Sequence, residues 1–187
     1  KRFVTASLSN ATPADVAYTS FESDNMGGWS FAAFKPIVSG ISGTPTGEKC
    51  FLMPYNVPEW LGSNVTINKD YILSFWMKNG GSNPIIGGSA TLLKSTTVND
   101  WTYYEYKINQ GSASPTIGGY GYIDEIRLYP DKARMSTVTY NPTRGKTSEC
   151  DVNNRILYYE YDGLGRIVKV KDEKRNVIKT YEYHFKN

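Results

Sequence analysis

The chain has 187 residues, enough for one large or two small domains with a real core, and a formal net charge of only +3. That charge is too small and too dispersed to mark a nucleic-acid-binding protein, and no apolar run approaches the ~18 residues of a membrane-spanning helix. Aromatic content is 14%, with 15 Tyr and 17 Gly, and apolar residues do not recur at helical spacing, so the composition predicts an all-β protein.

The chain begins at Lys1 without Met, which suggests a processed or excised form. Residues 1–16 are rich in Ser, Ala, Thr and Asn and are expected to form a linker or loosely held arm. Short strand-like pieces follow at Ala17–Glu22, Trp29–Phe34, Lys49–Met53, Asn64–Asn68, Tyr71–Lys78, Ala90–Lys94, Thr102–Ile108 and Tyr122–Tyr129. Gly, Pro, Ser and Asn clusters separate them, which predicts a β-sandwich over residues 17–131. Period-two alternation puts Tyr71, Leu73, Phe75 and Met77 in its core with Thr102, Tyr104, Tyr106 and Ile108. The same alternation leaves Trp76, Tyr103, Glu125 and Arg127 on an outer face, where a flat indole beside polar groups could stack on a sugar ring. Trp60, between Pro58 and Gly62, is a second candidate platform. The bland alternative for Trp76 is a cover from a loop or from the chain's last third.

A charge step marks that last third: residues 1–131 carry a balance of −2 and residues 132–187 one of +5. Here Tyr140, Tyr161 and Tyr183 recur at spacings of 21 and 22 residues, the mark of a stacked repeat. Tyr159 and Tyr161 alternate with Glu160 and Asp162, Asp162-Gly163-Leu164-Gly165 turns the chain, and Val168 and Val170 alternate with Lys169 and Lys171. That is a β-hairpin, and Asp172 to Asn176 makes the return toward Val177 and Ile178. One full copy with partial copies on each side has too few neighbours to bury Tyr159, Tyr161, Val168, Val170, Tyr181 and Tyr183 by self-stacking. The segment is therefore expected to dock on the sandwich.

The string YEYDGLGRI resembles the YD repeats of RHS proteins, bacterial surface and secreted proteins whose hairpins spiral into a β-shell. The ordered landmarks FESDNMGGWSF, YILSFWMK, NDWTYYEYKI and GYIDEIRLYPDKARM are similar to the jelly-roll sandwiches of carbohydrate-binding modules and galactose-binding-like domains. Together the resemblances imply a jelly-roll sandwich followed by a short YD-repeat segment, outside the cell or on its outer surface, with a glycan or another surface protein as partner. The second resemblance also implies a structural Ca²⁺ held by Glu22 and Asp124, with backbone carbonyls and water completing the shell. A spacer or cap role in a larger RHS-type protein is the alternative.

Chemistry is sparse. Asp124 and Glu125 are adjacent in a strand and so are expected to face opposite ways, which excludes a facing acid and base pair of the glycosidase kind. The single His, His184, lies near the end, and no phosphate loop, nucleophile elbow or Cys/His ligand spacing occurs. The expectation is a non-enzymatic protein, with a glycoside hydrolase the least favoured class. Cys50 and Cys150 fit either one disulfide between the two parts or two buried thiols.

Overall fold

A computed structural model describes residues 3–23, 25–31, 37–55 and 61–184 of the chain, and antiparallel strands dominate them. In chain order these are β1 (Ala6–Ser9), β2 (Ala17–Thr19), β3 (Trp29–Phe31), β4 (Ile37–Ser39), β5 (Lys49–Met53), β6 (Leu61–Ser63), β7 (Tyr71–Lys78), β8 (Ile85–Gly87) and β9 (Ala90–Val98). Then follow β10 (Trp101–Ile108), β11 (Thr116–Gly118), β12 (Gly121–Pro130), β13 (Arg134–Asn141), β14 (Gly145–Cys150), β15 (Ile156–Tyr161), β16 (Ile167–Lys171) and β17 (Val177–Thr180). The protein is all-β. None of the described helices is long and apolar enough to cross a membrane.

Three sheets stack as layers. A seven-stranded sheet runs β4-β5-β12-β7-β10-β9, with β2 also paired to β12, and faces a four-stranded sheet, β3-β6-β11-β8. Between them lies the sandwich core, where the alternating Tyr71, Leu73, Phe75 and Met77 of β7 meet Phe21, Phe51, Leu61, Ile117, Ile123 and Ile126. Tyr104 and Tyr106 pack at its margin beside Phe75. The Asn64–Asn68 piece is not a strand: pairing stops at Ser63, although Val65 and Ile67 still plug the core.

The third layer is a meander in the order β1-β13-β14-β15-β16-β17, which lies on the outer face of the seven-stranded sheet. The arm is not loose, because Ala6–Ser9 pairs with β13 in register Ala6↔Thr137 and Leu8↔Met135. The chain passes from β12 to β13 through only Asp131–Ala133, with Ala133 N–H bonded to the Pro130 carbonyl. The meander's corners share one device. Asp151, Asp162 and Asp172 each accept backbone N–H bonds on Oδ1 from the residues two and four positions on, and Asn141 accepts from those two and three positions on, Thr143 and Arg144. The left-handed position before the return is filled by Asn154, Gly165 and Arg175.

The segment docks, but by a different set of side chains from the one expected. Cys150, Ile156 and Tyr158 pack on Cys50, Trp76, Trp101 and Tyr103. Tyr159 and Tyr161 are only half-buried, bonding Glu149 and the Lys146 carbonyl respectively, and Tyr183 is exposed. Strand parity decides this: the docked face of β13 and β14 is the row Thr137, Thr139, Ser148 and Cys150, and Ser148 pairs with Tyr158. Cys50 and Cys150 share this interface as free thiols, and burial pushes both up to about 12, so neither is a thiolate near neutral pH.

One ion pair is sealed between the layers. Arg127 is 1% exposed and donates to Glu125 through Nε (3.0 Å) and Nη2 (2.7 Å) from within β12. Its remaining donors cross to the meander, Nη2 to Thr137 Oγ1 at 2.8 Å and Nη1 to Asn154 Oδ1 at 3.1 Å. Asn154 in turn donates to the Tyr103 hydroxyl. Replacing Arg127 with Met strands a buried carboxylate and should cost about 3–5 kcal/mol, read as a lower urea midpoint. The double variant Arg127→Met with Glu125→Gln, which removes both charges, should recover most of the loss. Wild-type stability in the single variant would show that the pair does not join the layers.

Candidate functional site

The outer face expected to meet a sugar is not open. Trp76 is 5% exposed, and Tyr103, Glu125 and Arg127 lie as deep, because the meander covers them. Trp76 and Tyr103 pack against each other at 5.3 Å between ring centroids, as cross-strand partners in the β7–β10 pair. The four residues are thus neighbours on one face, as the alternation implies, but that face is an internal packing surface. Trp60 lies outside the described residues.

Asp124 and Glu125 do not face opposite ways. The register of β12 against β7 shifts between Asp124 and Arg127, and Glu125 takes φ +52°, so a β-bulge turns both carboxylates to one side. Both reach Thr46. Its Oγ1 lies 2.9 Å from Glu125 Oε2 and 3.2 Å from Asp124 Oδ2, while its N–H donates to Asp124 at 2.9 Å. A hydroxyl has one proton. If Thr46 gives it to Glu125, the contact with Asp124 is satisfied by a proton on Asp124 itself. Burial, followed by the neighbouring charge of Glu125, raises the Asp124 carboxyl well above its ordinary range, in keeping with that proton.

Glu22 grips the same loop from the other side, its Oε1 accepting from the N–H groups of Glu48 (2.8 Å) and Lys49 (2.7 Å). Gly47, just before them, has φ +57°, and a Cβ there would sit 2.3 Å from Glu22 Oε1, so the turn favours glycine. Glu22 and Asp124 therefore converge on one segment, as the calcium expectation requires, but the groups that face them are amide and hydroxyl donors. No cluster of three or more His, Cys, Asp or Glu occurs among the described residues.

The loop of residues 40–49 is the seam between sandwich and meander. Its Thr44 carbonyl accepts from Arg175 Nη2 at 2.7 Å, its Pro45 carbonyl from the Tyr158 hydroxyl at 2.8 Å, and its Gly47 N–H donates to Ser148. Where this seam meets the β9–β10 turn it leaves a cleft of about 300 Å³. Trp76, Trp101, Ile156 and Tyr158 form its buried floor, and the Arg175 guanidinium lies 3.3 Å over the Tyr158 ring. Asn99, Asp100, Lys174 and Arg175 stand exposed around the rim. Asn99 is held at φ +54° by the tight turn, and the Asp100 carbonyl is fixed by Asn79 N–H at 2.7 Å. The indole N–H groups of Trp76 and Trp101 are buried without a hydrogen-bond partner. Such a site has a largely buried aromatic floor and exposed donors and acceptors above it, a mixture suited to a polyhydroxylated ligand.

Sequence patterning missed the seam loop and the cleft rim, since the stretch Gly43-Thr44-Pro45-Thr46-Gly47 reads only as a turn. The usable signal was Asn99-Asp100 between two strand pieces, a hairpin turn that carries its polar side chains beside Trp101. His184 is exposed and outside the cleft. No family model matches this chain, and comparison with curated proteins and with solved structures finds no match.

The raised Asp124 carboxyl sets a pH dependence. Its folded pKa lies above its unfolded value, so the folded chain holds the proton more tightly. The resulting stability is complete below the ordinary carboxyl range and is lost as pH climbs through the folded value. An Asp124→Asn variant has no such group. The stability of wild type minus that of Asp124→Asn should therefore fall as pH rises from about 4 to 8, measured by urea denaturation; a difference that is flat or grows with pH would exclude a protonated Asp124.

Proposed function

We propose that this chain is a non-enzymatic recognition module of a secreted or cell-surface protein, which binds carbohydrate in the cleft between sandwich and meander. The observation that carries the reading is the cleft itself, with Trp76, Trp101 and Tyr158 lining its floor beneath a mixed polar rim. The sequence resemblances to carbohydrate-binding modules and to YD-repeat surface proteins point the same way. Against hydrolysis, the adjacent acids Asp124 and Glu125 are 0% and 1% exposed and bonded to Thr46 and Arg127, out of a substrate's reach.

A spacer or cap in a larger RHS-type protein is the second reading. It is favoured by the burial of Trp76, Tyr103, Glu125 and Arg127, which spends the outer sheet face on internal packing. Binding separates the two. Soluble polysaccharides cast into a native gel should retard the chain, and Asp100→Ala and Lys174→Ala, both on the exposed rim, should each weaken binding by about tenfold with no change in melting temperature. A folded chain that no polysaccharide retards would favour the spacer.

Calcium at Glu22 and Asp124 belongs to the same proposal, and the ion would have to displace the Asp124 proton and the loop N–H groups that now hold the two carboxyl groups. On that proposal the melting temperature rises with added Ca²⁺ and falls in EDTA. An unchanged melting temperature would leave the loop closed by its hydrogen bonds alone.

A further inference from the structure

The cleft is not isolated. Three further depressions, of about 500, 360 and 170 Å³, continue from it along the seam, and each shares walls with the next. Ser42, Gly43 and Arg175 border both the cleft and the second depression, and Gly47, Glu48 and Arg175 the second and third. Glu48, Asn141 and Thr147 then border the third and fourth. One wall is the seam loop throughout. The other is the meander, crossed from the β16–β17 corner at Arg175 past Tyr158 to the β13–β14 corner at Asn141 and Arg144. Crossing from β16 to β13 takes three inter-strand steps, about 14 Å at the usual spacing. The walls touch where Arg175 bonds the Thr44 carbonyl, so an extended ligand would lie along this rift by passing over that contact.

The charges along the rift decide the ligand class. Cations and carboxylates are mixed along it: Lys171 is paired with Glu160, and Lys49 caps the Glu22 carbonyl beside the Glu22 carboxylate that holds the loop. Arg175 is engaged by the Thr44 carbonyl. A polyanion would meet Glu48 and Glu160 on both sides of its path, whereas a neutral polyol can give hydroxyl protons to the carboxylates and accept from the cations. An extended peptide binds by adding to a free strand edge, and the rift presents a sheet face and a loop instead.

We infer that the rift binds an unbranched neutral polysaccharide along its length, with one ring seated in the aromatic cleft and successive rings running over the seam toward Arg144. This rests on the carbohydrate reading above. The test is a titration of the whole chain with neutral β-1,4-linked glucose, xylose and mannose oligosaccharides from the monosaccharide to the hexasaccharide, together with a uronic-acid hexasaccharide. Affinity for a neutral series should rise at least tenfold from disaccharide to hexasaccharide. Arg144→Ala, an exposed change at the far end, should weaken the hexasaccharide several-fold and leave the disaccharide unaffected. Binding that does not depend on length would confine the ligand to the cleft and overturn the rift while the carbohydrate reading stands. Tighter binding of the uronic-acid chain would overturn its neutral character. Failure of every sugar to bind would remove the carbohydrate reading itself, and the rift with it.

Discussion

A charged pair that water cannot reach, Arg127 with Glu125, dictates how the layers of this protein fit together. Removing two ions from water is costly, and their attraction offsets that cost only when the remaining donors and acceptors also find partners. β12 alone cannot supply them. Glu125 takes hydroxyl contacts from Tyr18 of β2, Thr46 of the seam loop and Thr137 of β13, and Arg127 takes Asn154 from a meander corner. Sandwich, loop and meander each complete the other two. The β-bulge at Glu125 is what allows this, since regular alternation, with Glu125 and Arg127 outward, would have sent the neighbouring Asp124 carboxyl into the sandwich core.

This constraint also explains why the docked face of the meander is small and hydroxylated. Thr137, Thr139 and Ser148 are all buried; Thr139 and Ser148 bond each other, Ser148 accepts from Gly47 N–H, and Thr137 meets the ion pair, in place of interlocking large apolar groups. A row of short polar side chains lets the sheets approach closely enough for Thr137 to touch the ion pair. The larger Ile156 and Tyr158 come one strand further on, opposite Trp101 and Trp76. The layers part beyond them, where the β16–β17 corner reaches the seam loop through Arg175 on the Thr44 carbonyl and all of β17 is exposed. The cleft sits at that parting, where apolar packing ends and polar rim groups begin.

Much of the framework is legible from the residues. Alternation along Tyr71–Lys78 and Thr102–Ile108 assigns the core face correctly, and Asp162-Gly163-Leu164-Gly165 marks its hairpin. Too little repeat to stand alone, and a short connection after Pro130, together imply a docked segment. What pattern could not supply was register. The bulge in β12 carries Glu, not Gly, at the left-handed position, so nothing in Tyr122–Tyr129 signals it. The docked face of the meander was misjudged because the aromatic positions drew attention from the Thr/Ser row, which alternates just as regularly. Ala6–Ser9 is small and polar and reads as a loose arm, yet it needs only an open edge on β13 and an apolar contact at Leu8 to be held.

The candidate site was hidden for a related reason. Reasoning strand by strand finds binding residues on faces, and Trp76 is on the face that strand parity assigns to it. Whether such a face is solvent or interface depends on what the rest of the chain places over it, and that is settled by partners far apart in sequence, such as Thr46 with Glu125 and Arg175 with Thr44. Once the meander covers the outer sheet, its aromatic rings are reachable only from the margin of the contact. On the proposed reading recognition moves from the sheet's face to its seam, where the loop and corner residues Asp100, Lys174, Arg175 and Glu48 line the depressions. A site of this kind is intact only while both parts are docked, so its shape is inseparable from the buried ion pair that docks them.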